Sequence, residues 1–178
     1  MFAGAGGLDL GFESAGFAHL EATDWDEACC QTLQRNRPTW SVINIDARGY
    51  EPDQSLRPDC LIAGFPCQGF SLGGHRREDD DRNSLFLEVV RVAKKTQPQV
   101  VLLENVLNLR TMRDPDSRRP FAETIAQAFR DIGYEVRYQS FRMSDYGVPQ
   151  TRIRFVFVGS LHGFPKGFHF PMPDASPA

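Results

Sequence analysis

Phe2-Ala3-Gly4-Ala5-Gly6-Gly7 opens the chain as a glycine-rich turn, and it is followed by an amphipathic run made of Leu8, Leu10, Phe12 and Ala15. A glycine turn that leads into a helix is typical of the cofactor loops of α/β proteins, where the turn follows a buried strand. No strand precedes the turn in this sequence. We therefore expect the first strand of the sheet to be shortened or missing.

Short apolar strands alternate with helices along the rest of the chain. Strands are predicted over His19–Thr23, Val42–Ile45, Cys60–Ala63, Val100–Leu103, Tyr134–Phe141 and Ile153–Val158. Helices are predicted from Asp26 to about Asn36, over Ser84–Lys95 and over Phe121–Ile132, and Gly133 closes the last of them. This alternation predicts an α/β fold with a mainly parallel, Rossmann-like sheet that is covered on both faces.

Length, charge and cysteine content narrow the class of protein. The 178 residues fit one domain, which we place at 1–160, with 161–178 as an unpacked tail or linker. The net charge of −3 excludes binding of nucleic acid by bulk charge alone. The 4 cysteines form no CxxC pair, so we expect no metal cluster and a reducing, cytoplasmic setting. No signal peptide is recognisable, and no apolar run approaches the roughly 20 residues that span a bilayer.

Polar side chains follow the predicted strands at the edge where α/β sheets bind ligands. Asp24 comes about 20 residues after the glycine turn, a spacing suited to a ribose hydroxyl, although an exposed acid without a ligand fits equally well. Asp46 follows the next strand. Asp9 occupies the third glycine position of the dinucleotide fingerprint, which disfavours an NAD site. Trp25 can stack on an adenine or lie half-buried in the core.

A second group of residues has the chemistry of catalysis. Cys67 follows Pro66 at the start of a long polar loop, where a thiol can be exposed and deprotonated, whereas a structural cysteine is the alternative. Glu104 and Asn105 are expected to follow an apolar strand, where partial burial raises the pKa of a carboxyl group, whereas a salt-bridged acid at the sheet edge is the alternative for Glu104. Arg152 and Arg154 alternate, so both can face one anion or carbonyl oxygen, or form an exposed basic edge.

Taken together, these segments resemble the cytosine-C5 DNA methyltransferase family. The resemblance covers Phe2 to about Gly159 and rests on ordered motifs, which are Phe2-Ala-Gly4-x-Gly6-Gly7, Gly64-Phe-Pro66-Cys67-Gln68-x-Phe70-Ser71, Asp81-Arg82-Asn83, Glu104-Asn105-Val106 and Gln150-x-Arg152-x-Arg154. It implies a Rossmann-like fold dependent on S-adenosylmethionine, double-stranded DNA as the partner, and a role in DNA methylation, including restriction-modification.

The resemblance also implies a role for each residue. The cofactor would be held by Phe2, Gly4, Gly6, Gly7, Asp24, Trp25, Asp46, Pro66 and Leu85. Cys67 would add to C6 of a flipped cytosine, Glu104 would act on N3, Arg154 would hold O2 with Arg152 beside it, and Asn105 would brace the loop that carries Cys67. The loop Gln68–Asn83 would close over the base, with His75, Arg76 and Arg77 near phosphates.

The sequence departs from the family pattern at its beginning and at its end. The first strand is shortened, and the target-recognition domain and the final motifs are not in this sequence. We therefore expect the catalytic half of such an enzyme, either a gene fragment or one subunit that needs a second polypeptide, and no methylation by the chain alone. An RNA cytosine-C5 methyltransferase and a non-catalytic fragment are the alternatives.

Overall fold

A computed structural model describes residues 1–66, 85–114 and 117–173. Its helices are α1 (Gly7–Ser14), α2 (Glu27–Asn36), α3 (Leu85–Thr96) and α4 (Phe121–Arg130). Its strands are β1 (Ala22–Asp24), β2 (Val42–Asn44), β3 (Cys60–Ala63), β4 (Val100–Val106), β5 (Glu135–Arg142) and β6 (Ile153–Ser160). The predicted α/β class is confirmed. Within the described ranges, no helix is long and apolar enough to cross a membrane.

The strands form two neighbouring groups. β1 and β2 pair in parallel, and a four-stranded sheet has the order β3-β4-β6-β5. Within that sheet β3, β4 and β5 run in one direction, whereas β6 is antiparallel to both of its neighbours. The mainly parallel character predicted from the sequence is therefore confirmed, and β6 is the reversed strand.

Residues 1–3 lie between the two groups of strands. The amino group of Met1 donates a hydrogen bond to the carbonyl oxygen of Ile62 at 2.8 Å, and the backbone N–H of Ala3 donates to Thr23 at 3.1 Å. The segment thus contacts β3 on one side and β1 on the other without forming a strand. A cavity of about 240 Å³ adjoins it. This geometry agrees with the shortened first strand expected from the sequence.

The main core lies between α3, α4 and one face of the four-stranded sheet. Alternate residues of β4 and β6 point into it, including Val101, Leu103 and Phe157. Val89 of α3 and Ile125 of α4 are fully buried against them. This apolar burial stabilises the sheet whose strand ends carry the polar side chains.

Three local expectations are wrong. β1 starts at Ala22 rather than His19. β4 continues to Val106 instead of ending at Leu103, because Glu104, Asn105 and Val106 pair with β6. In α1 the buried residue is Asp9, whereas Leu10 is exposed, because the inward face of this short helix borders the cavity beside residues 1–3.

The tail is also packed where it is described. The hydroxyl of Tyr146 donates to the carbonyl oxygen of Pro171 at 3.1 Å, and the ring of Phe170 contacts Phe141 of β5. The guanidinium of Arg137 lies over the ring of Phe164 at 4.5 Å. Aromatic residues in the tail therefore contact the edge strand, although none of residues 161–173 is buried.

Candidate active site

Three residues of the glycine turn lie in the left-handed backbone region, which favours glycine. Phe2, Gly4 and Gly6 have positive φ angles of 54°, 55° and 85°. A Cβ at Gly6 would lie 2.5 Å from Cδ2 of Leu33, so the turn packs closely on α2 there. At Gly4 and Gly7, by contrast, a Cβ would meet nothing within 4 Å. The turn therefore presents open backbone on the side away from α2.

Asp24 fixes the turn from the end of β1. One carboxylate oxygen accepts a hydrogen bond from the backbone N–H of Gly4 at 2.7 Å, and the other accepts from Asp26 at 2.9 Å. Each oxygen keeps further acceptor capacity for a ligand hydroxyl. Trp25 is 76% exposed, which excludes the alternative of a half-buried core residue. An acid and a free indole face thus stand beside the glycine turn.

Asn44 is a positioning residue that the sequence reading did not identify. Its side-chain amide donates to the carbonyl oxygens of Asp24 at 3.1 Å and Trp25 at 2.9 Å. It thereby holds the end of β1 in place from the end of β2. The signal available in the sequence was an amide residue at a strand end, which is too common to be specific.

Asp46 follows β2 and begins a single turn of 3₁₀ helix over residues 47–49. Its carboxylate accepts from the backbone N–H of Arg48 at 2.9 Å and pairs with the Arg48 guanidinium. Arg91 of α3 donates to the carbonyl oxygens of Ala47 and Tyr50, at 3.1 and 2.6 Å. The turn that carries Asp46 is therefore fastened to α3.

Gly64, directly after β3, lies between the glycine turn and Glu104. A Cβ at this position would lie 3.6 Å from a carboxylate oxygen of Glu104 and 3.9 Å from the carbonyl oxygen of Phe2. The glycine turn and Glu104 therefore approach the same point, from opposite sides of β3. The sequence marked Gly64 only as part of a motif, because its position depends on three segments that are distant in sequence.

Glu104 and Asn105 point to opposite faces of β4. Asn105 is 3% exposed, and its side-chain amide donates to the carbonyl oxygen of Phe65 at 3.1 Å. It also accepts from the backbone N–H of Val106 at 2.8 Å. Asn105 therefore holds the backbone just before Pro66.

Glu104 pairs with an arginine of β6. The Nε of Arg154 lies 2.5 Å from a carboxylate oxygen of Glu104, and this pair is only partly exposed. Burial raises the pKa of the Glu104 carboxyl group, and the positive charge of Arg152 opposes that rise. Arg152 lies just before β6 and is exposed. Desolvation therefore favours the neutral form of the Glu104 carboxyl group, whereas the two nearby cations favour the carboxylate.

Pro66 and Leu85 are the described residues on either side of segment 67–84. Cys67 and the loop Gln68–Asn83, with His75, Arg76 and Arg77, lie outside the described residues. Burial raises the pKa of the Cys60 thiol to about 12, and it also raises the pKa values of Cys29 and Cys30. None of these three cysteines is therefore a ready source of thiolate.

Comparison with known proteins identifies the family. The family described as C-5 cytosine-specific DNA methylase matches residues 1–177. The chain belongs to this family. It is 38% identical to the type II methyltransferase M.NgoMIV of Neisseria gonorrhoeae over 173 residues, which are 97% of this chain and 54% of that protein. It is 35% identical to M.AquIA of Picosynechococcus, covering 100% of this chain and 76% of that protein.

A solved structure shares the fold. A prophage protein of E. coli, assigned as a DNA modification methyltransferase, superposes with a TM-score of 0.75 at 29% identity, over 89% of this chain and 44% of that one. The chain spans about half the length of the first curated relatives it matches.

Membership of the cytosine-C5 methylase family implies S-adenosylmethionine as the methyl donor. The residues present fit that group, because the glycine turn is open beside Gly4 and Gly7, and the exposed Trp25 lies next to the Asp24 carboxylate. Asp24 and Asn44 hydrogen-bond to the backbone that forms this open surface.

Proposed function

We propose that the protein carrying this chain transfers a methyl group to C5 of cytosine in double-stranded DNA, through a covalent adduct with Cys67 on a flipped base. The observation that carries the proposal is the approach of the Phe2 carbonyl and the Glu104 carboxylate to one point at Gly64. A methyl donor held at the glycine turn and a base held at Glu104 would then be neighbours. S-adenosylmethionine supplies the methyl group when bound.

Cys67 is the proposed nucleophile. C5 of cytosine attacks a methyl group poorly, but addition of a thiolate at C6 turns the ring into an enamine that is nucleophilic at C5. After transfer, the C5 proton leaves to water and the bond between C6 and the Cys67 sulfur breaks, which restores the aromatic ring and the thiolate. C6 is reached only when the base leaves the stack, so base flipping is part of the proposal.

Glu104, Arg154 and Arg152 are proposed to hold the base. The raised pKa of Glu104 favours a protonated carboxyl group that donates to N3 as negative charge develops there. When the base enters, Arg154 is proposed to turn from Glu104 to the O2 atom, while Arg152 stays at the exposed rim beside a phosphate. Asn105 is proposed to brace the segment that leads to Cys67, because its amide donates to the carbonyl oxygen of Phe65.

The cofactor site is proposed to consist of the turn residues Phe2, Gly4, Gly6 and Gly7 with Asp24, Trp25, Asp46, Pro66 and Leu85. Asp24 would accept from ribose hydroxyls, and the Trp25 indole would cover the adenine. DNA is the proposed partner, and the cytoplasm, where a catalytic thiol stays reduced, is the proposed location.

The function is tested by following tritium from labelled S-adenosylmethionine into nucleic acid. The full gene product that contains this chain is incubated with mixed-sequence duplex DNA or with duplex and structured RNA, and the nucleosides are separated after digestion. The isolated chain is assayed with and without the product of any adjacent reading frame. Label in 5-methyldeoxycytidine supports the proposal, whereas label only in RNA, or none in any arm, overturns it.

Replacing Asp24 by Asn is expected to weaken cofactor binding by roughly 10- to 100-fold, because charged hydrogen bonds contribute about 1.5–3 kcal/mol each. The amide cannot accept from both Gly4 and Asp26 and also from a ribose. Titration calorimetry with S-adenosylhomocysteine measures the affinity.

Asp53→Asn is the matched control for this substitution. Asp53 is an exposed acid that accepts from the backbone N–H two residues ahead, at Ser55, as Asp24 accepts from Asp26. It lies in the segment that leads into β3, away from the strand ends that carry the site. Equal affinities for Asp24→Asn and Asp53→Asn would remove Asp24 from the cofactor site.

A further inference from the structure

An arginine-rich hairpin follows the catalytic strand β4 directly. A turn of 3₁₀ helix over residues 107–110 leads into it, and the hairpin then returns to the start of α4. The described residues are 110–114 and 117–119, and they include Arg110, Arg113, Arg118 and Arg119, all of which are exposed. Neither the proposed chemistry nor the cofactor site uses these side chains.

The hairpin is locally positive on an acidic chain. Residues 110–119 contain 4 arginines and 2 aspartates, a net charge of +2, so the remaining residues carry −5 of the total of −3. No exposed large hydrophobic side chain belongs to the described part of this segment. A charged surface without apolar anchors fits a polyanion better than a protein partner.

The charges of the hairpin are not neutralised within the described structure. Six arginines elsewhere form ion pairs with carboxylates, and they are Arg37, Arg48, Arg91, Arg130, Arg137 and Arg154. Among the described residues, no ion pair involves the four arginines of the hairpin. The Arg113 guanidinium donates instead to the backbone carbonyl of Arg118 at 2.8 Å.

The backbone of the hairpin is ordered by its own hydrogen bonds. Arg113 and Pro120 form an antiparallel bridge, and the N–H of Asp114 donates to the carbonyl of Arg119 at 2.9 Å. The N–H of Phe121 donates to Met112 at 2.8 Å, and fully buried Leu109 anchors the preceding turn. The arginines are therefore presented by a fixed scaffold, which reduces the entropy lost on binding.

The hairpin lies beside the site. Val106, the last residue of β4, pairs with Arg154 in β6, and the turn 107–110 packs against β6 as well. Arg110 thus begins the hairpin one 3₁₀ turn beyond the strand that carries Glu104. A duplex that delivers a cytosine to Glu104 would extend past this edge of the protein.

We propose that the hairpin residues Arg110, Arg113, Arg118 and Arg119 bind the phosphates of duplex DNA that flanks the target cytosine. This inference rests on the proposed function, and it concerns affinity for the backbone rather than the choice of sequence. Phosphate contacts position a protein on the duplex and make its binding depend on salt, because each contact releases condensed counterions.

The test measures the binding of a fluorescent 20-base-pair duplex to the full gene product by anisotropy, between 50 and 200 mM KCl. The variant Arg110→Ala with Arg119→Ala removes two guanidinium groups that form no hydrogen bond or ion pair among the described residues. We expect Kd to rise roughly 10- to 100-fold at 0.1 M salt and the slope of log Kd against log salt to fall by about 2.

Two further variants separate local contacts from bulk charge and from misfolding. Arg35→Ala with Lys94→Ala also removes two exposed positive charges, from the last turns of α2 and α3, and is expected to leave the slope unchanged. Arg110→Lys with Arg119→Lys keeps both charges and is expected to keep the slope. Equal losses in the two alanine pairs, or an unchanged slope in the hairpin pair, would overturn the proposal.

Parallel titration with S-adenosylhomocysteine distinguishes the failure of this inference from the failure of the proposed function. Wild-type protein that binds the cofactor and duplex DNA, but with a salt slope that the hairpin alanine pair leaves unchanged, would overturn the hairpin proposal alone. A slope that depends on the hairpin for duplex RNA and not for DNA would also overturn it. Absence of both cofactor and DNA binding would overturn the two together.

Discussion

Cys67→Ser is expected to abolish the covalent complex between the full gene product and duplex DNA that contains 5-fluorocytosine. The proposed adduct resolves when the C5 proton leaves, and fluorine cannot leave in that way, so the bond between the protein and C6 persists. A serine hydroxyl is not ionised near neutral pH and does not add to the ring. The adduct is measured as a band of reduced mobility in denaturing gels, in the presence of S-adenosylmethionine.

The other cysteines provide the control. Burial raises the pKa of Cys60 to about 12, and the pKa values of Cys29 and Cys30 are also raised. Cys29→Ser, Cys30→Ser and Cys60→Ser are therefore expected to keep the adduct in proportion to the folded protein that each yields. An adduct that survives in Cys67→Ser would assign the nucleophile to another residue.

The elements that the sequence predicted well are those specified by short-range patterns. The apolar run that becomes β3 and the spacing of Leu85, Val89 and Val92 in α3 depend on nearest neighbours along the chain, and the structure confirms both. The end of β4 depends instead on pairing with β6, which begins far along the sequence. Its length could not be inferred from local polarity, because Glu104 and Asn105 are polar and still lie within the ladder.

The residues of the site show the same difference between local and long-range information. The sequence identified Asp24 and Glu104 from their places at strand ends and Arg154 from its alternation with Arg152, and the structure brings Glu104 and Arg154 into contact. It did not identify Asn44, because the role of that amide arises only when β1 and β2 are paired. The approach of Phe2 to Glu104 at Gly64 is likewise a product of tertiary structure. Local sequence therefore indicates which groups are reactive, whereas long-range pairing determines which of them meet.

One consequence of that pairing is that Glu104 has two competing environments. Burial favours the neutral carboxyl group that the proposed mechanism needs, whereas the contact with Arg154 favours the carboxylate. If the base displaces Arg154, the ion pair is lost and protonation becomes easier. The proposed entry of cytosine would then itself prepare the proton donor.

Glu104→Gln is accordingly expected to lower the single-turnover rate of methyl transfer by roughly 10²- to 10⁴-fold, the usual range for a lost general acid. The amide can donate a hydrogen bond to N3 but cannot deliver a proton. It has nearly the same volume and can still accept from Arg154, so cofactor affinity and thermal stability are expected to change little. Rapid-quench measurement with saturating protein isolates the chemical step from product release.

The pH dependence separates this role from a structural one. A donor must be protonated, so the wild-type rate is expected to fall as pH rises through the raised pKa of Glu104 in the complex, and that alkaline limb should be missing in Glu104→Gln. Glu123→Gln, which alters an arginine-paired and partly exposed glutamate of α4, should retain both the rate and the limb. A Glu104→Gln rate near that of the wild type, or the same alkaline limb in both proteins, would show that this carboxyl group transfers no proton to the base.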